Sequence, residues 1–102
     1  MKDIQKQVDT WVSQYKLGYF QPMEILARLT EEVGELAREI NHRWGPKKKK
    51  EAEDVKEISD ELGDIIFTVV CLANSQKIDL DMAFAKVMDK LNNRDKDRWE
   101  KK

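Results

Sequence analysis

Apolar residues recur along this chain at steps of three and four, the period of an α-helix, in four separate runs. In the first, Ile4, Val8, Trp11, Val12 and Tyr15 mark one face of an amphipathic helix, assigned to core or interface, and Gly18 follows as its C-terminal cap. The connector Tyr19-Phe20-Gln21 leads to Pro22, a residue suited to a first helical turn. The spacing of Leu26, Leu29, Val33, Leu36, Ile40 and Trp44 predicts a second helix over residues 23–44, stopped by Gly45-Pro46. At about 100° per residue that stripe centres near Val33. Glu32 then lies a quarter turn to one side, and Glu31, Glu35, Arg38, Glu39 and His42 fall on the far face.

Lys47 to Lys50 and the acids after them read as a polar connector to a third helix over residues 54–74. Its stretch from Ile65 to Ala73 is apolar almost all round, the pattern of a helix surrounded by protein. A bundle of short helices in 102 residues cannot surround a helix by itself, so a second copy of the chain is expected to cover one side. Asp79 is a good N-cap for a fourth helix, with Leu80, Phe84, Val87, Met88 and Leu91 as its core stripe. The fold class is therefore all-α, a four-helix bundle-like single domain over residues 1–102, assembled as a homo-oligomer, either a dimer or a dimer-of-dimers tetramer.

Composition adds mainly exclusions. Nineteen basic and twenty acidic residues nearly cancel, so no overall field draws the chain to a nucleic-acid polymer or a membrane. No apolar run approaches the roughly 20 residues of a membrane span, and the N-terminal residues lack a signal peptide's apolar centre. The single cysteine, Cys71, sits inside an apolar run, which fits a buried thiol in a reducing cytoplasm.

Charge placement carries the chemistry. Glu31-Glu32-Val33-Gly34-Glu35 and Glu61-Leu62-Gly63-Asp64 set carboxylates three apart, on one side of a helix with Cβ atoms roughly 5–6 Å apart. Two carboxylates about 5 Å apart repel by about 3 kcal/mol at an effective dielectric of 20. Four gathered between two helices need a cation or shared protons, and Mg²⁺ takes oxygen ligands and bridges carboxylates to phosphates. Glu57, Glu61, Asp64, Thr68 and Ser75 share one narrow polar stripe on the third helix; its acidic end either binds such an ion or emerges into water. Lys86, Lys90, Arg94 and Arg98 recur every fourth residue as a basic stripe, either solvated and locally ion-paired or poised over phosphates.

Glu-Glu-x-x-Glu followed, 25 residues on, by Glu-x-x-Asp resembles the signature of the MazG-like nucleotide pyrophosphohydrolases, in the all-α NTP pyrophosphatase superfamily. The segments 28–39, 60–67, Leu72-Ala73-Asn74 with Ile78-Asp79-Leu80, and 86–94 read like the same family. The resemblance implies hydrolysis of a nucleoside triphosphate between its α and β phosphates to monophosphate and pyrophosphate, with Mg²⁺ as cofactor and Mn²⁺ as a substitute. It implies Glu32, Glu35, Glu61 and Asp64 as metal ligands. Glu31 and Glu35 are the catalytic candidates; Glu31 orients or deprotonates the attacking water or helps bind a further ion. Lys90 and Arg94 resemble phosphate contacts, and Asn74 a substrate-contacting asparagine. His42, two turns beyond Glu35, either borders the base or is an exposed helix-end histidine. Two other readings compete. One is a di-iron bundle built on Glu39-x-x-His42, for which the chain has no second histidine. The other is a non-enzymatic oligomerisation or regulatory module in which the acidic and basic stripes pair.

Overall fold

The computed structural model describes the backbone of residues 1–46 and 51–102 and the side chains of residues 1–46 and 57–102. The expected polar connector at 47–50 lies outside the described residues. Among the described residues four α-helices follow in order: α1 (Lys2–Val12), α2 (Pro22–Trp44), α3 (Glu51–Ser75) and α4 (Leu80–Asp89), the last running into a single π-helical turn at Lys90–Arg94. No helix among the described residues is long and apolar enough to cross a membrane.

α2 begins as its sequence dictates, with Pro22 in the first turn and the Glu24 carboxylate accepting the Gln21 N–H at 3.4 Å. It packs along α3 in the opposite direction: Ile25, near its start, shares a cavity with Cys71, while Glu35, further on, meets Glu61. α1 lies on α3 through Val8 and Val12, four apart, which close on the fully buried Val70 with Tyr19, Cys71 and Leu80 around them. The Gln5 side chain ties this corner to the connector after α3: its amide donates to the Ile78 carbonyl at 2.9 Å, and its oxygen accepts from the Leu80 N–H at 3.0 Å.

Three expectations change. α1 ends at Val12 rather than near Gly18, and Ile4, Trp11 and Tyr15 are exposed, because Val8 and Val12 are the positions of α1 buried against α3. The α2 stripe centred on Val33 does not face the core: Leu26, Val33, Ile40 and Trp44 are exposed, and the side turned to α3 carries Ile25, Glu32, Glu35 and Glu39. Phe84, Val87 and Met88 on α4 and Leu91 on the turn after it are likewise exposed; among the described residues of this arm Leu80 is the one packed on the core. α3 also shows Leu62, Ile66 and Val69 to the outside. Contiguous apolar rows of this kind mark surfaces that another body covers.

Two residues adopt left-handed backbone, Gly18 at φ 67° and Lys77 at φ 55°. Lys77 closes α3 in a Schellman arrangement, with Ile78 N–H donating to the Ala73 carbonyl at 2.8 Å and Lys77 N–H to the Asn74 carbonyl at 3.2 Å. The two positions respond oppositely to substitution. A Cβ on Gly18 meets nothing within 4 Å, so Gly18→Ala costs only its backbone penalty, about 1 kcal/mol in urea unfolding. Lys77→Gly relieves the same penalty and raises the unfolding free energy by up to about 1 kcal/mol.

Candidate metal centre and nucleotide cavity

Antiparallel packing makes each step of three or four toward the end of α2 match an equal step toward the start of α3. Glu32 and Glu35 therefore meet Glu61 and Asp64. One oxygen each from Glu32, Glu61 and Asp64 lie within 4.8 Å of one another. Glu35 and Glu32 stand close enough to Glu61 to favour a proton shared among these carboxylates. Burial, then the Glu35 charge and this sharing, push the Glu61 carboxyl up from 4.5 to about 7. Glu32 Oε2 and Glu61 Oε2 are buried without a hydrogen-bond partner. Buried acceptors left unpaired are costly, and this donor set, all hard carboxylate oxygen, suits Mg²⁺ or Mn²⁺. Opposite ligands of one Mg²⁺ stand about 4.2 Å apart, so small side-chain rotations would let the three oxygens close on an ion. Thr68, one turn beyond Asp64, is buried and satisfies its hydroxyl on the Asp64 carbonyl at 3.0 Å.

Beside these acids opens a cavity of about 430 Å³. Glu32 and Asp64 form one part of its wall, and Trp11, Tyr15, Phe20 and Phe67 much of the rest, with Arg28 between. Trp11 stands 5.1 Å from Tyr15 and 5.9 Å from Phe67, ring centroid to centroid, and the Arg28 guanidinium lies 5.3 Å over Phe20. Trp11 and Tyr15, assigned from the sequence to core or interface, are 52% and 54% exposed and line this cavity. Their helical stripe gave the signal, but not what it faced.

The other candidates lie apart from the four acids. Glu31 is exposed on the outer side of α2. His42 sits half-buried two turns beyond Glu35, its Nδ1 3.8 Å from Glu39 Oε2. Asn74 belongs to a second, open groove with Gln5, Asp9 and Lys77. Lys90 and Arg94, on the π-helical turn, are exposed and line neither cavity. Glu39, which the projection placed on a solvated face, is 3% exposed and paired with Arg38 at 3.7 Å as well as His42. Its spacing of four from Glu35 continues the acidic row and was the available clue. Among the described residues Glu39 and His42 join no cluster able to hold a metal, so the di-iron reading finds no support.

An all-α protein whose central antiparallel helix pair gathers four acids beside an aromatic cavity is thus defined by fold and site together. The chain belongs to the MazG nucleotide pyrophosphohydrolase domain family, whose model matches residues 20–99. It is 58% identical over 102 residues to YpjD, an uncharacterised protein of Bacillus subtilis (strain 168), covering all of this chain and 92% of that one. The crystal structure of YpjD from Bacillus subtilis, described as a candidate pyrophosphatase, superposes with a TM-score of 0.83 at 55% identity, over 90% of this chain and 94% of that one. A Bacillus-conserved MazG protein, described as a nucleotide pyrophosphohydrolase, superposes with a TM-score of 0.80 at 51% identity, over 94% and 93%.

The raised Glu61 carboxyl has a definite sign in stability. The folded protein keeps a proton that the unfolded chain releases, so metal-free stability is full below pH 4.5 and is lost as pH rises through about 7. Calorimetric scans of the metal-free protein should show a melting temperature falling across that window. Glu61→Gln should flatten the fall, and saturating Mn²⁺ should reverse it.

Proposed function

We propose that this chain is a Mg²⁺-dependent nucleoside triphosphate pyrophosphohydrolase, releasing nucleoside monophosphate and pyrophosphate, and that it cleanses or controls nucleotide pools in the cytoplasm. The observation that carries this reading is the gathering of Glu32, Glu61 and Asp64, with Glu35 set against Glu61, beside an aromatic cavity that Glu32 and Asp64 line; membership of the MazG family supports it. Glu32, Glu35, Glu61 and Asp64 would hold the metal. Bound there, Mg²⁺ would supply charge neutralisation for the phosphates and the leaving pyrophosphate.

The chain's own groups divide the remaining tasks. Trp11, Tyr15 and Phe67 offer ring faces to a base, an interaction of about 1–3 kcal/mol per stacked base. Arg28, in the wall between the rings and the acids, meets the phosphate end. Glu35, set against Glu61, takes the proton of the attacking water, whereas Glu31, four residues earlier, is exposed on the outer side of α2. His42 borders the base side only if a nucleotide extends along α2.

Lys90 and Arg94 reach the phosphates from a second copy of the chain in this reading. The support is that α4 exposes its apolar side, that α2 and α3 expose apolar rows, and that neither basic residue lines its own cavity.

Glu35→Gln and Asp64→Asn should each abolish pyrophosphate release, measured over canonical and modified triphosphates, while the helical circular dichroism stays unchanged. Retained turnover in both variants sinks the site assignment. Lys90→Ala should raise KM more than it lowers thermal stability. Mixing inactive Glu61→Gln with Lys90→Ala chains, after refolding together, should restore activity beyond the sum of the two if the basic residues act across copies.

A further inference from the structure

Besides the Glu39–His42 pair and the exposed face of α4, the molecule holds a group that the proposed chemistry does not use, a hydrogen-bonded chain running from Asp9 through Tyr19 and Asn74 to Gln5. The last is fully defined by distances. Tyr19 Oη donates to Asp9 Oδ1 at 2.7 Å and accepts from Asn74 Nδ2 at 3.0 Å. Asn74 Nδ2 also donates to the Gln5 carbonyl at 2.9 Å, and Asn74 Oδ1 accepts from Gln5 Nε2 at 3.0 Å. Both amide hydrogens of Asn74 are thereby engaged, and the residue lines the groove on the Lys77 side rather than the aromatic cavity.

Tyr19 is the link between this network and the cavity. Its neighbours Gly18 and Phe20 form cavity wall together with it, and its ring packs on the Val8–Val12–Val70 core. Gly18 gives the connector a left-handed turn at φ 67°, and Phe20 carries the Arg28 guanidinium over its ring at 5.3 Å. The wall segment Leu17-Gly18-Tyr19-Phe20 contains a glycine, and among the described residues the Tyr19 hydroxyl gives it its side-chain hydrogen bonds to α1 and α3, through Asp9 and Asn74. Burial, reinforced by the bond to Asp9, pushes the phenol up to about 12, so it remains a donor throughout the working pH range.

We propose that Tyr19 and Asn74 are positioning residues: clamped between Asp9 and Asn74, Tyr19 fixes the wall segment that shapes the base-binding cavity, and Asn74 acts through Tyr19 rather than on substrate. The kinetic part of this inference rests on the pyrophosphohydrolase reading; the structural part does not. The network therefore governs how well the cavity accepts a base, and leaves the carboxylates and the bond-breaking step as they are.

Tyr19→Phe removes one hydroxyl and nothing else, and Asn74→Ala removes its partner. Each variant should raise KM about three- to tenfold, the worth of about one hydrogen bond. Turnover number should stay within about twofold and Mn²⁺ affinity by calorimetry unchanged, because the acids are untouched. Amide hydrogen exchange at residues 18–20 should accelerate in both variants, while exchange at Glu32 and Glu61 should not. A fall in kcat with KM unmoved in Asn74→Ala would place that residue on the substrate and overturn the inference, as would unchanged exchange at 18–20. If the wild-type chain hydrolyses no triphosphate at all, the enzymatic reading fails, and exchange in Tyr19→Phe alone decides the positioning role.

Discussion

Like charge facing like charge, across the narrow gap between α2 and α3, is the constraint to which the rest of this molecule answers. Glu35 meets Glu61, and Glu32 meets both Glu61 and Asp64, in a setting where water is partly excluded. Without a counter-ion the protein tolerates this only by keeping a proton on Glu61 near neutrality. The helices cannot simply splay apart, because the same pair is held at its other end by Ile25, Thr68 and the Val70 corner, where α1 locks on. Rigid apolar packing at one end holds the acids together at the other.

That polarity along one helix pair also separates the two halves of a nucleotide-shaped site. Trp11, Tyr15 and Phe20 gather near the turn from α1 into α2, and the carboxylates lie further along, Glu32 on α2 and Asp64 one turn from Phe67 on α3. A ligand with a flat apolar head and an anionic tail matches this order. Among the described residues Arg28 is the cation in the wall, whereas Lys90 and Arg94 sit on an arm whose apolar side is exposed. Apolar rows on α2, α3 and α4 stand exposed on the same chain.

How much of this was readable beforehand follows from what periodicity measures. The positions of α2 and α3 were legible to within about three residues, and so were the four acids, because caps, breaks and i, i+3 carboxylates are local features. What covers a face is not local. The apolar row Leu26-Val33-Ile40 is real, but it points away from α3; centring the helix on it turned Glu35 and Glu39 toward solvent on paper, when the first is half-buried and the second fully so. α4 misled in the same manner, its stripe being apolar without being covered by its own chain. Trp11 and Tyr15 share a face with Val8 and Val12 within the spread of a helical stripe, and only tertiary packing separates core from cavity there. The network from Asp9 to Asn74 spans 65 positions of sequence (74 less 9) and carries no pattern at all.

Cys71 acquires an unplanned use from where it lies. It is the chain's single thiol, it opens onto the aromatic cavity, and burial pushes its ionisation upward, so only a small thiolate fraction is present at neutral pH. Alkylating reagents must enter by the same door as any guest. Their rate of reaction therefore reports occupancy of the chamber directly, giving the molecule a native gauge that needs no engineered label.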